Sequence, residues 1–137
     1  MMKFYLLAPL FASALILSSC NTAEKYAQNN DAAAAWLAEN KGNASTSISG
    51  SWLPGDHGWG MARLEQNGNQ VTGAIGSYQV EGSINGKTAY LAMKDNGWVY
   101  YTAILKRTGK DFVGFYSDSV PFDSETQSTM LLTPKSH

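Results

Sequence analysis

Between Gly60 and Tyr90 the chain changes character at every second residue. Val71, Gly73 and Ile75 fall on one side of an extended chain, with Gln70, Thr72 and Ala74 on the other. Val80, Gly82 and Ile84 oppose Gln79, Glu81 and Ser83 in the same way. A period of two predicts strands with one dry face and one wet face. Breaks at Asn67-Gly68-Asn69, Gly76-Ser77 and Asn85-Gly86 separate the runs. Asn-Gly pairs supply the positive-φ residues that tight hairpins need, so the stretch predicts an antiparallel meander.

The same reading extends in both directions. Strands are expected at 48–53, 59–66, 70–75, 78–84, 87–94, 98–106, 111–117 and 128–133. Pro54 to Gly58, Asp95-Asn96-Gly97 and Arg107-Thr108-Gly109 supply further turns, and 118–127 a longer acidic loop. The longest run is apolar on both faces. Trp98, Tyr100, Thr102 and Ile104 share one face, and Val99, Tyr101, Ala103 and Leu105 share the other. One face then belongs to the core and the other needs a partner or a covering helix. About eight strands is the number at which a small barrel just holds side chains or one small ligand. Closing the sheet also removes its edges. That matters here because the single cysteine allows no intrachain disulfide to staple a small sheet. The expected fold class is therefore all-β, an antiparallel up-and-down meander barrel over 47–134, with a short tail at 135–137.

Residues 21–49 lack strand signals, and 20–46 read as an N-terminal segment of anchor, tether and short helix. Thr22-Ala23-Glu24 and the run from Asp31 to Gly42 look helical, with Asp31 able to cap the start and Gly42 able to end it in a left-handed conformation. Alanines 32 to 35 are the strongest helix formers. A helix this short is marginal alone, so docking on the barrel through Trp36 and Leu37 is expected. Residues 43–49 read as a small-polar tether.

Residues 1–19 read as a signal peptide, with a lone Lys3 followed by an apolar run from Phe4 to Leu17. At about 14 residues the run is shorter than the roughly 20 needed to cross a bilayer, and it fits a leader core. It ends in Leu17-Ser18-Ser19-Cys20, which resembles the lipobox of bacterial lipoproteins. That resemblance implies cleavage before Cys20 and diacylglycerol and palmitate chains on this residue, anchoring the mature chain to a membrane. An ordinary secretory leader with an incidental cysteine is the alternative. Asn21 stands where, in that family's sorting pattern, Asp favours inner-membrane retention, so the resemblance implies the outer membrane. The Asn43-Ala44-Ser45 sequon has no role in such a protein.

Charge excludes one class of partner. Ten Lys+Arg stand against 11 Asp+Glu with no basic block, which argues against nucleic acid. Catalytic and metal constellations are also missing. The two histidines, His57 and His137, have no companions for a triad or a metal site. His57 beside Asp56 reads as a loop residue. Asp118, Asp123 and Glu125 match no calcium-loop spacing. No cofactor and no enzymatic activity are expected. Trp52, Trp59, Trp98, Tyr100 and Tyr116 are candidates for lining a ligand pocket, with a place in the core as the alternative. Arg63 and Lys106-Arg107 read as surface charges.

The strand pattern from Gly50 to Thr133 resembles the calycin group of small barrels, and within it the layout of avidin-like proteins. The resemblance rests on Gly50-Ser51-Trp52, Val71-Thr72-Gly73, Gly97-Trp98 and Leu131-Leu132-Thr133. Leu53-Pro54 and Met130 depart from the avidin pattern, so no biotin-contacting residue transfers. Two functions remain open: a lipid-anchored barrel binding a small or apolar ligand, or an interaction or inhibitor module of the envelope with a filled barrel.

Overall fold

The computed structural model describes residues 21–55 and 58–136. Cys20 and the leader, Asp56, His57 and His137 lie outside the described residues. Eight strands form a closed barrel: β1 (Gly50–Leu53), β2 (Ala62–Asn67), β3 (Gln70–Ile75), β4 (Tyr78–Asn85), β5 (Thr88–Asp95), β6 (Trp98–Thr108), β7 (Asp111–Ser117) and β8 (Gln127–Pro134). Each strand pairs antiparallel with the next, and β8 returns to β1 through Trp52↔Pro134 and Leu53↔Thr133. The all-β up-and-down meander read from the sequence is the fold observed. At the β5–β6 turn Asn96 and Gly97 both have positive φ, 52° and 83°, the conformation a tight primed hairpin demands.

The meander gives the barrel two distinct ends. The chain enters β1 at one, together with the β2–β3, β4–β5 and β6–β7 turns; this is the entry end. The β1–β2, β3–β4, β5–β6 and β7–β8 connections gather at the loop end. Inward positions keep the period of two. Leu64, Val71, Ile75, Ile84, Leu91, Met93, Leu105, Phe112, Met130 and Leu132 are all buried inside. An eight-stranded barrel has room for about this much side chain and little more.

A helix, α1 (Asn21–Glu39), lies across the outside of β4, β5 and β6. It is the cover that the doubly apolar β6 demanded. Ala33 and Leu37 are buried against Ala92 and Val99, with Trp36, Tyr90 and Val120 packed around them. The helix departs from expectation at both ends. It joins the expected 22–24 stretch to the Asp31 run and passes through Asp31 without being capped there, because nothing between Asn21 and Asn30 breaks the propagation from the alanine run. Asn30 then fixes it to the β5–β6 turn, donating to the Gly97 carbonyl at 2.8 Å and accepting from the Val99 N–H at 2.9 Å. The helix ends without a left-handed Gly42. Instead Asn40 donates from its side chain to the Trp36 carbonyl at 2.8 Å. Gly42 N–H donates to the Ile84 carbonyl, and Asn43 and Ser45 bond the backbone of Gly86. The segment read as a tether is thus pinned along the entry end.

Two strand details also differ. Residues 59–61 stay outside β2, because Gly58 and Gly60 adopt positive φ. A bulge between Met93 and Lys94 shifts the β5–β6 register, so Met93 faces Tyr101 while Lys94 faces Val99. The shift turns Val99 outward under the helix, away from the face it was expected to share with Tyr101, Ala103 and Leu105.

Candidate functional site

The five aromatic residues singled out from the sequence fall in three places. Trp59 and Tyr116 meet at the loop end with ring centroids 4.7 Å apart. Tyr78 and Tyr101 complete the cluster: Trp59 sits 6.2 Å from Tyr78 and 5.7 Å from Tyr101. Tyr101 in turn sits edge-on to Tyr78 and Tyr116. The three tyrosines rise from β4, β6 and β7 at inward positions, and Trp59 is laid across them by the β1–β2 loop. Gly76 permits that close passage. Its φ is +58°, and a methyl group there would overlap the Trp59 carbonyl. Tyr78 ionises above the usual tyrosine range, first because burial disfavours the phenolate and then because Tyr101 lies beside it.

Trp52 closes the opposite, entry end. It packs edge-to-face on Phe112 at 5.4 Å and donates its indole N–H to the Ile48 carbonyl at 2.8 Å. Arg107 lies over both rings, 5.9 Å from Trp52 and 5.2 Å from Phe112. Its guanidinium donates to the carbonyls of Gly109 at 2.8 Å and Ser47 at 3.0 Å. Arg107 therefore belongs to the end plug, where the sequence suggested only a surface charge. Trp98 and Tyr100 stand apart from either end plug, outside the barrel against Tyr26 of α1, at 5.5 and 5.8 Å.

Tyr78, Tyr101 and Phe112 were legible in principle, since each is in phase with its strand's inward residues. Tyr26 and Arg107 carried no such signal, because their partners are distant in the chain. Asp118 lies in the acidic loop, where Asp123 caps a short 3-10 turn at Ser124–Thr126 by accepting from the Glu125 N–H. Among the described residues no group of His, Cys, Asp and Glu is placed to hold a metal ion.

Among the described residues, clefts lie on the outside of the barrel. One, of about 910 Å³, runs over β1, β2 and β3 and is lined by Ser51, Arg63, Glu65, Gln70 and Thr72 among others. A second, about 550 Å³, adjoins it at the entry end between the segment 46–52, Arg107 and Lys135. Outward Leu53, Val113, Phe115 and Leu131 form an exposed apolar strip across β1, β7 and β8. Charge is divided between the ends. Lys41, Lys87, Lys106, Arg107, Lys110 and Lys135 gather at the entry end beside Glu39, Glu65 and Asp111. Asp95, Asp118, Asp123 and Glu125 gather at the loop end, where the nearby Lys94 is engaged with Glu81 at 2.9 Å.

No known family model, curated protein or solved structure matches this chain.

Proposed function

We propose that this chain is a bacterial cell-envelope lipoprotein, non-enzymatic and anchored through acyl chains on Cys20, whose barrel serves as an interaction module. The observation that supports the second half is the packing of side chains inside the barrel. Aliphatic side chains occupy the middle, Trp52 and Phe112 block the entry end, and Trp59 lies over the tyrosines at the loop end. What remains for recognition is the outer surface, with its clefts, apolar strip and divided charge. The leader and the Leu17-Ser18-Ser19-Cys20 motif support the anchor, and Asn21 supports the outer membrane as its address. More than one acyl chain makes such anchoring durable, at about 0.8 kcal/mol per buried CH₂.

Two experiments test the reading. Labelled palmitate should appear on the wild-type chain and vanish from Cys20→Ser; label persisting on the variant refutes the anchor. Crosslinking in intact envelopes should recover the chain joined to a partner. Recovery of the monomer alone, under conditions that capture other envelope complexes, refutes the module.

A small-ligand reading keeps one observation in its favour, the aromatic cluster of Trp59, Tyr78, Tyr101 and Tyr116 at the loop end. A flat apolar ligand would displace Trp59 and stack on the tyrosines. Native mass spectrometry of gently purified protein should then find a co-purifying molecule, and a mass equal to the bare chain speaks against it.

A further inference from the structure

We propose that the entry-end cleft binds the acidic groups of an anionic glycan, with Arg107 and Lys135 facing the charge and Thr46, Ser47, Ser49 and Ser51 facing the sugar hydroxyls. This rests on the interaction-module reading and names its surface. The cleft of about 550 Å³ is lined by these six residues together with Gly50, Trp52 and Pro134.

Arg107 is already held in place. It is stacked over Trp52 and Phe112 and bonded to two backbone carbonyls. A guanidinium has five N–H donors. Two are used, which leaves three with no partner among the described residues. A fixed, part-satisfied guanidinium suits a planar or tetrahedral oxyanion because little ordering remains to be done on binding. The serine hydroxyls are set up in a complementary way. Ser47 Oγ accepts from the Ser49 N–H at 3.1 Å, and Ser49 Oγ accepts from the Gln66 N–H at 2.8 Å. Each hydroxyl therefore has its proton left to donate. Such a mixture of fixed cation and hydroxyls fits a charged sugar better than a bare ion.

Long-range charge points the same way. The chain is near neutral overall, with 10 basic and 11 acidic residues, yet six of the cations lie at the end of the barrel that holds this cleft. Lys41, Lys87, Lys106 and Lys110 lie at the same end with Glu39, Glu65 and Asp111 among them, which leaves that end net positive, while Asp95, Asp118, Asp123 and Glu125 lie at the other. A polymer with repeated negative groups would touch several of these lysines at once, and its binding would weaken with salt.

The test uses the full chain purified in detergent, so that it needs neither a membrane nor the acyl chains. Binding to heparin, polygalacturonate and neutral dextran is measured by titration at about 50 and 200 mM salt. The two acidic polymers separate sulfate from carboxylate recognition. Binding to either acidic polymer, absent for dextran and weakened by salt, is expected. Lys135→Glu should weaken it about tenfold, as a reversed charge at contact distance does, and Lys25→Glu on the helix should change it less than twofold. Arg107→Gln should abolish it; since that residue also braces the plug, Lys110→Glu combined with Lys135→Glu should abolish it as well without touching the stack. No binding to either polymer at the lower salt overturns the proposal, as does an equal loss from Lys25→Glu. Tighter binding to phosphatidylglycerol vesicles than to either polymer overturns it too, by assigning the surface to a bilayer. None of these failures bears on the crosslinking result, which concerns any partner on any face.

Discussion

Phe112→Ala tests whether the entry end is a packed plug. Phe112 is fully buried, supports the edge of Trp52 and lies beneath Arg107. Removing the ring loses its transfer energy and leaves a cavity, together about 3–5 kcal/mol for a Phe→Ala change in a core. Within that, the edge-to-face pair contributes about 0.5–1.5 kcal/mol and the Arg107 stacking about 0.5–1 kcal/mol. Against a typical domain stability of about 5–15 kcal/mol, the variant should fold but sit near the margin. Urea unfolding followed by tryptophan fluorescence and by circular dichroism should show one coincident transition, moved to lower urea with little change in slope. Phe112→Leu should cost roughly a third as much, and a Trp52→Leu, Phe112→Leu cycle should return a coupling of about 0.5–1.5 kcal/mol. A loss below about 1 kcal/mol for Phe112→Ala would mean that the ring is not clamped between Trp52, Arg107 and the strands, and the filled-barrel reading would fall with it.

Asn30→Ala removes both bonds between α1 and the β5–β6 turn and strands a part-buried Val99 N–H. It should cost about 1–3 kcal/mol and speed exchange of the Val99 amide; unchanged exchange would show that the helix is not fastened there. Tyr78 gives an alkaline signature. An unfolded tyrosine ionises near pH 10, and burial, followed by Tyr101, raises the folded value. The unfolded state therefore loses its proton first, so this contribution is intact below about pH 10 and is lost as pH rises through the folded value. Thermal midpoints should fall on the alkaline side, and Tyr78→Phe should fall less steeply; parallel curves would remove Tyr78 from the explanation. In lipid vesicles, brominated acyl chains should quench a chain retaining only Trp98 more strongly than one retaining only Trp52; the reverse order would invert the orientation that the anchor implies.

The sheet was readable because its information is local. Asn96-Gly97 states its turn in two residues, and Val80, Gly82 and Ile84 state their face by spacing alone. What escaped was set by distant parts of the chain. Val99 changes face because of a register shift opposite Met93 and Lys94, which no feature of its own strand announces. Asp31 is a good capping residue, but the helix runs through it because Asn30 and Tyr26 find partners on β6 and its turn. Arg107 looks like any strand-end cation until Trp52 and Phe112 are brought beneath it. The aromatic candidates were visible as residues, whereas their division among two plugs and a helix seat depended on the closed barrel.

The long helix alters what an anchor at Cys20 would do. The described helix already includes Asn21, the residue directly after it, so no flexible linker would separate acyl chains on Cys20 from ordered structure. From Thr22 to Gln28 only Tyr26 is partly covered; its ring packs against Trp98 and Tyr100, and Asn30 bonds the tip of the β5–β6 turn beyond it. Residues 22–25 stand exposed ahead of that contact, a length of about 6 Å at 1.5 Å per residue, on the loop-end side. A lipid at its start would hold the acidic loop end toward the bilayer and leave the basic entry end facing the aqueous space. Anionic headgroups would repel the nearer end, and a helical post keeps that end at a distance that a loose tether would not. The same geometry forbids two copies in one membrane from joining acidic end to basic end, since both point the same way. The cationic cleft is then left for a partner that approaches from the side away from the membrane.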